Sequence, residues 1–243
     1  MAIKKKMSFY TPKEFRKYID IAKKEAKKKQ KKEKCFYEWN FYMFFNIAFY
    51  TGLRKGEIHA LRWSDIDNKS LSVTRSIAQK LHKRDVETPP KNKPSIRTVK
   101  MPSPLIRKLK QHKKRQQELS NFNEDDRICG GERCLRDTTI QKRNELYSSL
   151  AGVKRIRIHD FRHSHASLLA NKRINIQAIA DRLGHGNTKE TWNTYSHLYP
   201  EEKDKAVAVL NTVENLYTLC AYLMQKISIY DWYKKITSQF KKA

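Results

Sequence analysis

The chain has 243 residues and carries 52 Lys and Arg against 25 Asp and Glu, a formal net charge of +27 at pH 7. Its 39% hydrophobic and 11% aromatic residues are enough for a folded core, which excludes a wholly disordered basic tail. With 7 Gly and 7 Pro it is neither collagen-like nor low in complexity. A chain this basic is expected to bind a polyanion.

The cysteines and the apolar segments predict a cytoplasmic protein. The four cysteines are scattered and lack the paired spacing of a zinc site, so we expect free thiols in a reducing compartment. The N-terminus is charged, so we expect no secretory signal. The most apolar run, FYMFFNIAFYTGL, is interrupted by Asn46 and is shorter than the roughly 20 residues of a membrane-spanning helix. We therefore expect a soluble protein that does not enter a membrane.

The N-terminal part of the chain predicts two helices. Thr11 and Glu14 have the spacing of a capping box, which starts the first helix. Residues 1–34 carry 14 basic and 4 acidic side chains, an excess that fits a solvated helix face or contact with phosphates equally well. Cys35–Thr51 is dense in Phe, Tyr and Ile, which predicts a core helix ending at Gly52.

The middle of the chain predicts short strands followed by helices. Leu71–Ala78 and Val86–Met101 alternate and carry β-branched residues, so we expect two or three strands in a small antiparallel sheet. Helices are expected near 103–119 and 138–150, with a polar loop between them.

The second half predicts helices throughout. Together with the strands they give the α+β class, mainly α-helical with a small antiparallel β-sheet. The expected helices are His159–Lys172, Ile176–Leu183, Lys189–Ser196 and Glu201–Asn211.

The first motif that carries chemistry is TGLRKGE, residues 51–57. Its two glycines flank Arg54 and permit a tight turn between helices that would aim a guanidinium into a cleft. Taken alone, the motif is better explained by a surface turn with a solvated arginine.

The second motif is HDFRHSH. His159 and Arg162 stand three residues apart and so share one helix face, where an imidazole and a guanidinium can converge on one anion. A planar guanidinium is the natural bidentate partner of a phosphate. The alternative is an ordinary amphipathic helix with Phe161 and His165 on its core side and His159 as a capping residue.

The third motif is LGHGN, followed by TWNTYSHLY. Gly184 and Gly186 bracket His185, and Tyr195 follows ten residues later. A tyrosine hydroxyl has a reference pKa of about 10, so a nucleophilic Tyr195 needs cationic groups that stabilise the phenolate and the transition state. A lone tyrosine in a helix is usually a packing or surface residue, so this interpretation depends on the whole set of motifs.

In this order, TGLRKGE, HDFRH, LGHGN and TYSHL resemble the catalytic domain of the tyrosine recombinases, specifically integrases of phages and conjugative transposons. The resemblance covers about residues 8–210 and implies a catalytic domain of residues 1–212 with the fold of that family. It implies that Arg54 is the first catalytic arginine, His159 and Arg162 the central His-x-x-Arg pair, His185 the later His-or-Trp position, and Tyr195 the nucleophile.

The family also uses a lysine on a β-hairpin as the general acid toward the leaving 5′ oxygen. PPKNKPSIRTVKMP resembles that hairpin. Lys91 fits the proline-lysine-polar start that precedes Ser95 and Arg97, and Lys93 is the alternative. Strand alternation puts both lysines on one face, so both assignments stay open.

Two further residues are interpreted from the resemblance. Glu57 matches an acidic position of the first motif, and we interpret it as orienting Arg54 or His185 rather than as a catalyst. Tyr199 is the nearest other tyrosine, and the YSH context favours Tyr195.

The resemblance implies site-specific recombination by transesterification, in the integration or excision of a phage or mobile element. Tyr195 attacks a DNA phosphate, giving a 3′-phosphotyrosine and a free 5′ hydroxyl. The bond energy is kept in the protein–DNA linkage, so we expect no ATP, metal or other cofactor, and the sequence has no Walker-A motif. The implied partners are double-stranded DNA at the nucleoid and other recombinase protomers, as a tetramer in the synaptic complex.

The ends of the chain give two further expectations. The sequence begins almost at the catalytic domain, so we expect the N-terminal core-binding domain of the family to be absent. Residues 213–243 are expected to form a C-terminal helical extension or tail, packed on the chain's own domain or docked on a neighbouring protomer.

Other classes of protein explain part of the pattern. The sequence Ile174–Tyr195 also predicts a helix-turn-helix motif, so a non-enzymatic DNA-binding protein is the alternative function. It leaves TGLRKGE and HDFRH unexplained. A type IB topoisomerase shares the chemistry but needs a larger clamp.

Overall fold

A computed structural model describes residues 8–33, 36–78, 86–89, 95–119 and 121–199, together with 207, 210–212, 222–224 and 226. The chain divides into two compact units, residues 1–199 and residues 200–243. The described residues of the second unit are helical and exposed. They are few, so the predicted boundary at residue 212 and the predicted tail stay predictions, and most of the helix expected at Glu201–Asn211 lies outside the described residues.

The described part of the first unit is mainly helical with short antiparallel strands, which confirms the predicted α+β class. The helices are α1 (Pro12–Glu33), α2 (Tyr37–Thr51), α3 (Lys55–Ala60), α4 (Ser103–Gln117), α5 (Asp137–Ala151), α6 (Asp160–Asn171), α7 (Ile176–Leu183) and α8 (Thr188–Tyr195). The strands are β1 (Ile66–Asp67), β2 (Ser70–Val73), β3 (Ser76–Ala78), β4 (Val86–Thr88) and β5 (Arg97–Lys100).

The predicted capping box starts α1. The backbone N–H and hydroxyl of Thr11 both donate to the Glu14 carboxylate at 2.8 Å, and the Glu14 N–H donates back to the Thr11 hydroxyl at 3.3 Å. These bonds satisfy N–H groups that a helix start leaves without intrahelical partners.

Helix α2 is the centre of the core because it is apolar on every face. Thirteen of its 15 residues are buried, and α1 packs along it in the opposite direction. Phe15 near the start of α1 stacks on Phe49 near the end of α2, with ring centroids 3.7 Å apart. Trp39 at the other end of α2 donates to Gln30 at 2.7 Å. A helix buried on all sides is held rigidly by its neighbours, so the turn that follows its C-terminus has a fixed position.

The strands form two small sheets where the sequence suggested one. β1, β2 and β5 form a three-stranded antiparallel sheet, and β3 pairs with β4 in a separate two-stranded sheet. The stretch Leu71–Ala78 breaks at Thr74 and Arg75, so its two halves belong to different sheets. The larger sheet carries Arg97 on β5. Lys91 and Lys93 lie outside the described residues.

The last three helices build a smaller core of their own. α6, α7 and α8 enclose Ala166, Ala170, Ile179, Leu183 and Tyr195, each at most 1% exposed. Helix α6 of this group also packs against α2. None of the described helices is long and apolar enough to cross a membrane.

Gly52 is required where α2 ends. It adopts a left-handed φ of +69°, and a Cβ there would lie 2.7 Å from Cδ2 of the buried His165. Gly152 ends α5 with a similar φ of +61° but has no atom within 4 Å of a built Cβ.

We predict that Gly52→Ala lowers the free energy of unfolding by about 3 kcal/mol, from left-handed strain and overpacking together. The matched variant Gly152→Ala carries only the strain and should cost about 1 kcal/mol. Urea unfolding at pH 7 measures both. Equal losses would show that the approach of His165 to Gly52 is not a constraint.

Candidate active site

Arg54 stands at the turn that joins α2 to α3. It precedes α3 with an extended backbone, and its N–H donates to the Glu57 carboxylate at 2.8 Å. Its Nη1 donates to the same carboxylate at 3.0 Å, and its Nη2 reaches the Gly184 carbonyl at 3.3 Å. The side chain remains 38% exposed. The turn thus holds the guanidinium in place while leaving it accessible.

Glu57 joins two arginines from different elements. Its carboxylate accepts from Arg97 at 3.1 and 2.9 Å in a bidentate pair, in addition to the bonds from Arg54. Burial by itself raises the pKa of Glu57, but the hydrogen bonds and charges of Arg97 and then Arg54 outweigh it and keep the pKa below its usual value. Of the two partners expected for Glu57, the structure places Arg54 against it, and the described contacts of the carboxylate include none with His185.

Arg162 is a buried cation with spare hydrogen-bonding capacity. It is 3% exposed, and its Nη1 donates to the Gly52 carbonyl at 2.8 Å. Its Nη2 is buried and has no hydrogen-bond partner among the described residues. Burial, and next the charge of Arg54, lower the pKa of Arg162 to about 9, which keeps it charged at neutral pH. A buried guanidinium with an unused donor is suited to hold an anion.

Tyr195 lies at the end of α8 with its hydroxyl against a histidine. The side chain is 1% exposed, and the hydroxyl is 2.6 Å from Nδ1 of His163. Burial raises the pKa of Tyr195 well above its ordinary value, with the charge of Arg162 acting in the opposite direction. Tyr199 points elsewhere, since its hydroxyl donates to the Ile174 carbonyl.

His159 and His163 lie on one side of α6. His159 immediately precedes the helix and is exposed, and its ring stands edge-on to that of His163 at 4.9 Å. The sequence analysis assigned no role to His163. Its spacing of four from His159 places it on the same face of α6. Its contact with Tyr195 depends on how α8 packs against α6, which a local sequence pattern does not predict.

His185 stands in the turn between α7 and α8. Its Nδ1 lies 2.7 Å from the Thr191 hydroxyl, and its Nε2 lies 3.5 Å from the Glu190 carboxylate. Burial, followed by the charges of Arg162 and Arg54, lowers its pKa to about 4, so the imidazole is neutral at pH 7.

Arg182 fixes that turn against the rest of the site and was not singled out from the sequence. Its guanidinium donates to the carbonyls of Lys100 and Tyr50 at 2.9 and 3.1 Å and to Nε2 of His165 at 2.9 Å. His165 in turn contacts the Phe49 carbonyl through Nδ1 at 2.8 Å. Helix α7 is thereby tied to β5 and to the end of α2.

The described site residues of the sequence prediction converge on one cleft. Arg54 donates to the carbonyl of Gly184, next to His185, and Arg162 donates to the carbonyl of Gly52 in the turn that carries Arg54. The rings of His159 and His163 are in contact, and His163 contacts Tyr195, so these groups lie close together. The cleft can surround an anion with cationic and neutral donors beside a tyrosine hydroxyl. Among the described residues, no group of three or more His, Cys, Asp or Glu side chains could hold a metal ion.

We predict that Glu57→Gln lowers the free energy of unfolding by about 3 kcal/mol, because it leaves Arg97 without its buried counter-charge. Glu145→Gln is the matched control, since Glu145 and Arg155 form an exposed pair with side chains 62% and 54% accessible; its loss should cost less than about 1 kcal/mol. Urea unfolding of both variants at pH 7 tests this. A loss for Glu57→Gln no larger than the control's would contradict the role of the buried pair.

The chain is similar to proteins of a known family. The model of the phage integrase family matches residues 8–202. The chain is 36% identical over 214 residues to the ICEBs1 integrase of Bacillus subtilis, covering 82% of this chain and 53% of that protein. It is 36% identical over 194 residues to a XerC-like tyrosine recombinase of Caldanaerobacter subterraneus, covering 69% of this chain and 48% of that protein. The chain thus spans about half the length of these curated relatives.

Solved structures share the fold at lower sequence identity. The integrase of the transposon Tn1549, in complex with transposon right end DNA, superposes with a TM-score of 0.65 at 18% identity, over 88% of this chain and 69% of that one. The catalytic domain of the bacteriophage HP1 integrase gives a TM-score of 0.52 at 17% identity, over 86% and 98% of the two chains. On the match over residues 8–202, the chain belongs to the phage integrase family of tyrosine recombinases.

Proposed function

We propose that this chain cleaves and rejoins DNA by transesterification through a 3′-phosphotyrosine at Tyr195. The observation that carries the proposal is the buried Arg162, whose Nη2 lacks a partner among the described residues, in the same cleft as the Tyr195 hydroxyl. A phosphate diester is an anion that can take up that donor while presenting phosphorus to the hydroxyl.

Each residue of the cleft has a part in this reaction. Tyr195 Oη bonds to phosphorus as the bond to the 5′ oxygen breaks. Arg54 and Arg162 bind the non-bridging oxygens, whose negative charge grows in the transition state. His159 and the neutral His185 add hydrogen-bond donors to the same oxygens. Glu57 keeps Arg54 in position.

The leaving 5′ oxygen needs a proton, and Lys91 or Lys93 is the proposed donor. Both lysines belong, in sequence, to the segment between β4 and β5. The free 5′ hydroxyl can later attack the phosphotyrosine in the reverse step, so the energy of the phosphodiester is retained in the covalent linkage.

Double-stranded DNA is the proposed substrate, at the nucleoid, with recombination of a phage or mobile element as the process. The net charge of +27 supports a long polyanion rather than a small phosphate ester. Similar proteins include the Tn1549 integrase in complex with a circular intermediate DNA and the XerH recombinase bound to difH substrate. We propose that recombination by this chain likewise takes place among several protomers on DNA, as a tetramer.

A non-enzymatic helix-turn-helix protein is the weaker candidate. Helices α7 and α8 have the lengths and the tight turn of such a motif. Their turn, however, faces the arginines: Gly184 accepts from Arg54, and the charges of Arg162 and Arg54 act on His185. A protein that only binds DNA does not require arginines gathered around this turn.

We predict that the chain forms a protease-resistant covalent adduct with a nicked suicide duplex in EDTA, and that Tyr195→Phe abolishes the adduct while binding persists. Tyr199→Phe is the control, because it removes a hydroxyl of the same type that bonds away from the cleft. Denaturing electrophoresis measures the adduct. Binding by the wild-type chain without any adduct would favour the helix-turn-helix candidate.

The general acid can be identified separately. We expect that Lys91→Ala or Lys93→Ala slows cleavage of an ordinary duplex by at least about 100-fold, because one of them protonates the leaving oxygen. A 5′-phosphorothiolate substrate has a leaving group that needs no proton, so it should rescue only the variant that lacks the acid. If both variants cleave ordinary DNA like the wild type, neither lysine is the acid.

A further inference from the structure

We propose that Arg157 binds a phosphate of the DNA backbone next to the scissile phosphate. The inference rests on the proposed function, and it adds a DNA contact that the motifs of the sequence did not assign.

A buried carboxylate holds the Arg157 side chain just before α6. Asp160 is 3% exposed, and its carboxylate accepts from the backbone N–H of Arg157 at 3.1 Å. Nε of Arg157 donates to the two carboxylate oxygens at 3.2 and 3.0 Å, and Nη2 donates to one of them at 2.9 Å. The N–H of Asp160 donates back to the Arg157 carbonyl at 2.9 Å, which closes a turn that contains His159. Several bonds to one residue therefore fix the direction of the guanidinium.

The outer edge of this guanidinium is unused. Asp160 takes up Nε and Nη2, whereas Nη1 has no hydrogen-bond partner among the residues that the structure describes. The side chain of Arg157 is 70% exposed, and that of Asp160 is 4% exposed. A ligand that approaches this pair thus meets the cation and not the carboxylate. A guanidinium with a free edge can donate to two oxygens of one phosphate.

The chain presents Arg54 in the same way. Its carboxylate partner, Glu57, also follows three residues later, accepts from the Arg54 backbone N–H at 2.8 Å and from Nη1 at 3.0 Å, and has a side chain only 2% exposed. Both arginines precede a helix, and both stay accessible, at 38% for Arg54 and 70% for Arg157. Arg54 is proposed to bind the scissile phosphate. Arg157, held by the same local arrangement, is suited to the same chemical group.

A groove places Arg157 next to the cleft. Arg157 and His159 both line this groove, together with Lys55 of α3 and Gln141 of α5, and its volume is about 550 Å³. His159 belongs to the cleft as well, so the groove adjoins the cleft at this residue. Successive phosphates of one DNA strand follow at about 3.4 Å along the duplex axis. A strand with one phosphate in the cleft therefore brings a neighbouring phosphate to the groove and to Arg157.

The alternative is that the pair serves folding alone, since Arg157 supplies the counter-charge of a buried carboxylate. The two roles differ in what happens when both charges are removed together. No buried charge is then left unpaired, so stability is largely retained. The phosphate contact, by contrast, is lost with the guanidinium.

The test measures binding of the Tyr195→Phe chain, which cannot cleave, to the nicked suicide duplex at several salt concentrations. In this parent chain, the double variant Arg157→Ala/Asp160→Asn keeps the net charge. We expect it to bind about 10-fold more weakly, because a hydrogen-bonded charge contact is lost. The slope of log K against log salt should fall in magnitude by about 0.9, the value for one phosphate contact. Arg157→Gln, which retains a donor for Asp160, should show the same loss, and it serves if the double variant does not fold.

Arg155→Ala/Glu145→Gln is the matched control. It removes the same two charges from a nearby ion pair whose side chains are both exposed, at 54% and 62%. No buried carboxylate holds this arginine, so the control should bind like the parent chain and keep its salt slope.

Methylphosphonates locate the contact on the DNA. A neutral methylphosphonate on one side of the scissile phosphate should weaken binding of the parent chain and leave that of the double variant unchanged. The inference would be overturned by parental affinity and salt slope in both Arg157 variants, by a loss no larger than the control's, or by a double variant as sensitive as the parent to methylphosphonates on both sides. An adduct with the wild-type chain would in each of these cases leave the proposed function intact. Absence of any wild-type adduct would overturn both.

Discussion

The carboxylate of Glu57, buried between the guanidinium groups of Arg54 and Arg97, is the interaction on which the cleft depends. Without a counter-charge, cations this close would repel one another in a medium where water screens them poorly. The same contact also joins distant parts of the chain. Arg97 comes from β5 and donates to the carbonyl of Arg182 on α7, while Arg54 comes from the α2–α3 turn and reaches the Gly184 carbonyl. One acidic side chain thus fixes three segments and still leaves an excess of positive charge for an anion.

On the opposite side of the cleft, burial has the main role. Tyr195 is part of the small core between α6, α7 and α8, so packing rather than charge determines its position. Burial makes its hydroxyl a weaker acid by raising the pKa, and the charge of Arg162 only partly offsets this. A neutral His163 in direct contact supplies the acceptor that the buried hydroxyl needs.

Most of the positive charge lies outside the cleft. Along α1 and α4, most lysines and arginines face solvent. Charge in such quantity favours binding to a long polyanion at many points and makes that binding sensitive to salt. In the proposed function, the cleft binds one phosphate and the basic surface supplies affinity along the DNA.

The sequence by itself determined most helices of the first unit, the caps at Thr11 and Gly52 and the α+β class, because those features follow from local periodicity and glycine geometry. It also predicted the residues of the cleft from motifs with a fixed order, and their roles stay predictions. It could not determine that the stretch after Leu71 divides between two sheets, since alternation does not say which strand pairs with which. Nor could it find the roles of Arg97, Arg182 and His163. Each of these side chains acts through a partner far away in the chain, at separations of 40, 132 and 32 residues. Such contacts exist only once α2, β5, α7 and α8 have packed together, so only the tertiary structure decided which cation holds which carboxylate and which histidine meets the tyrosine.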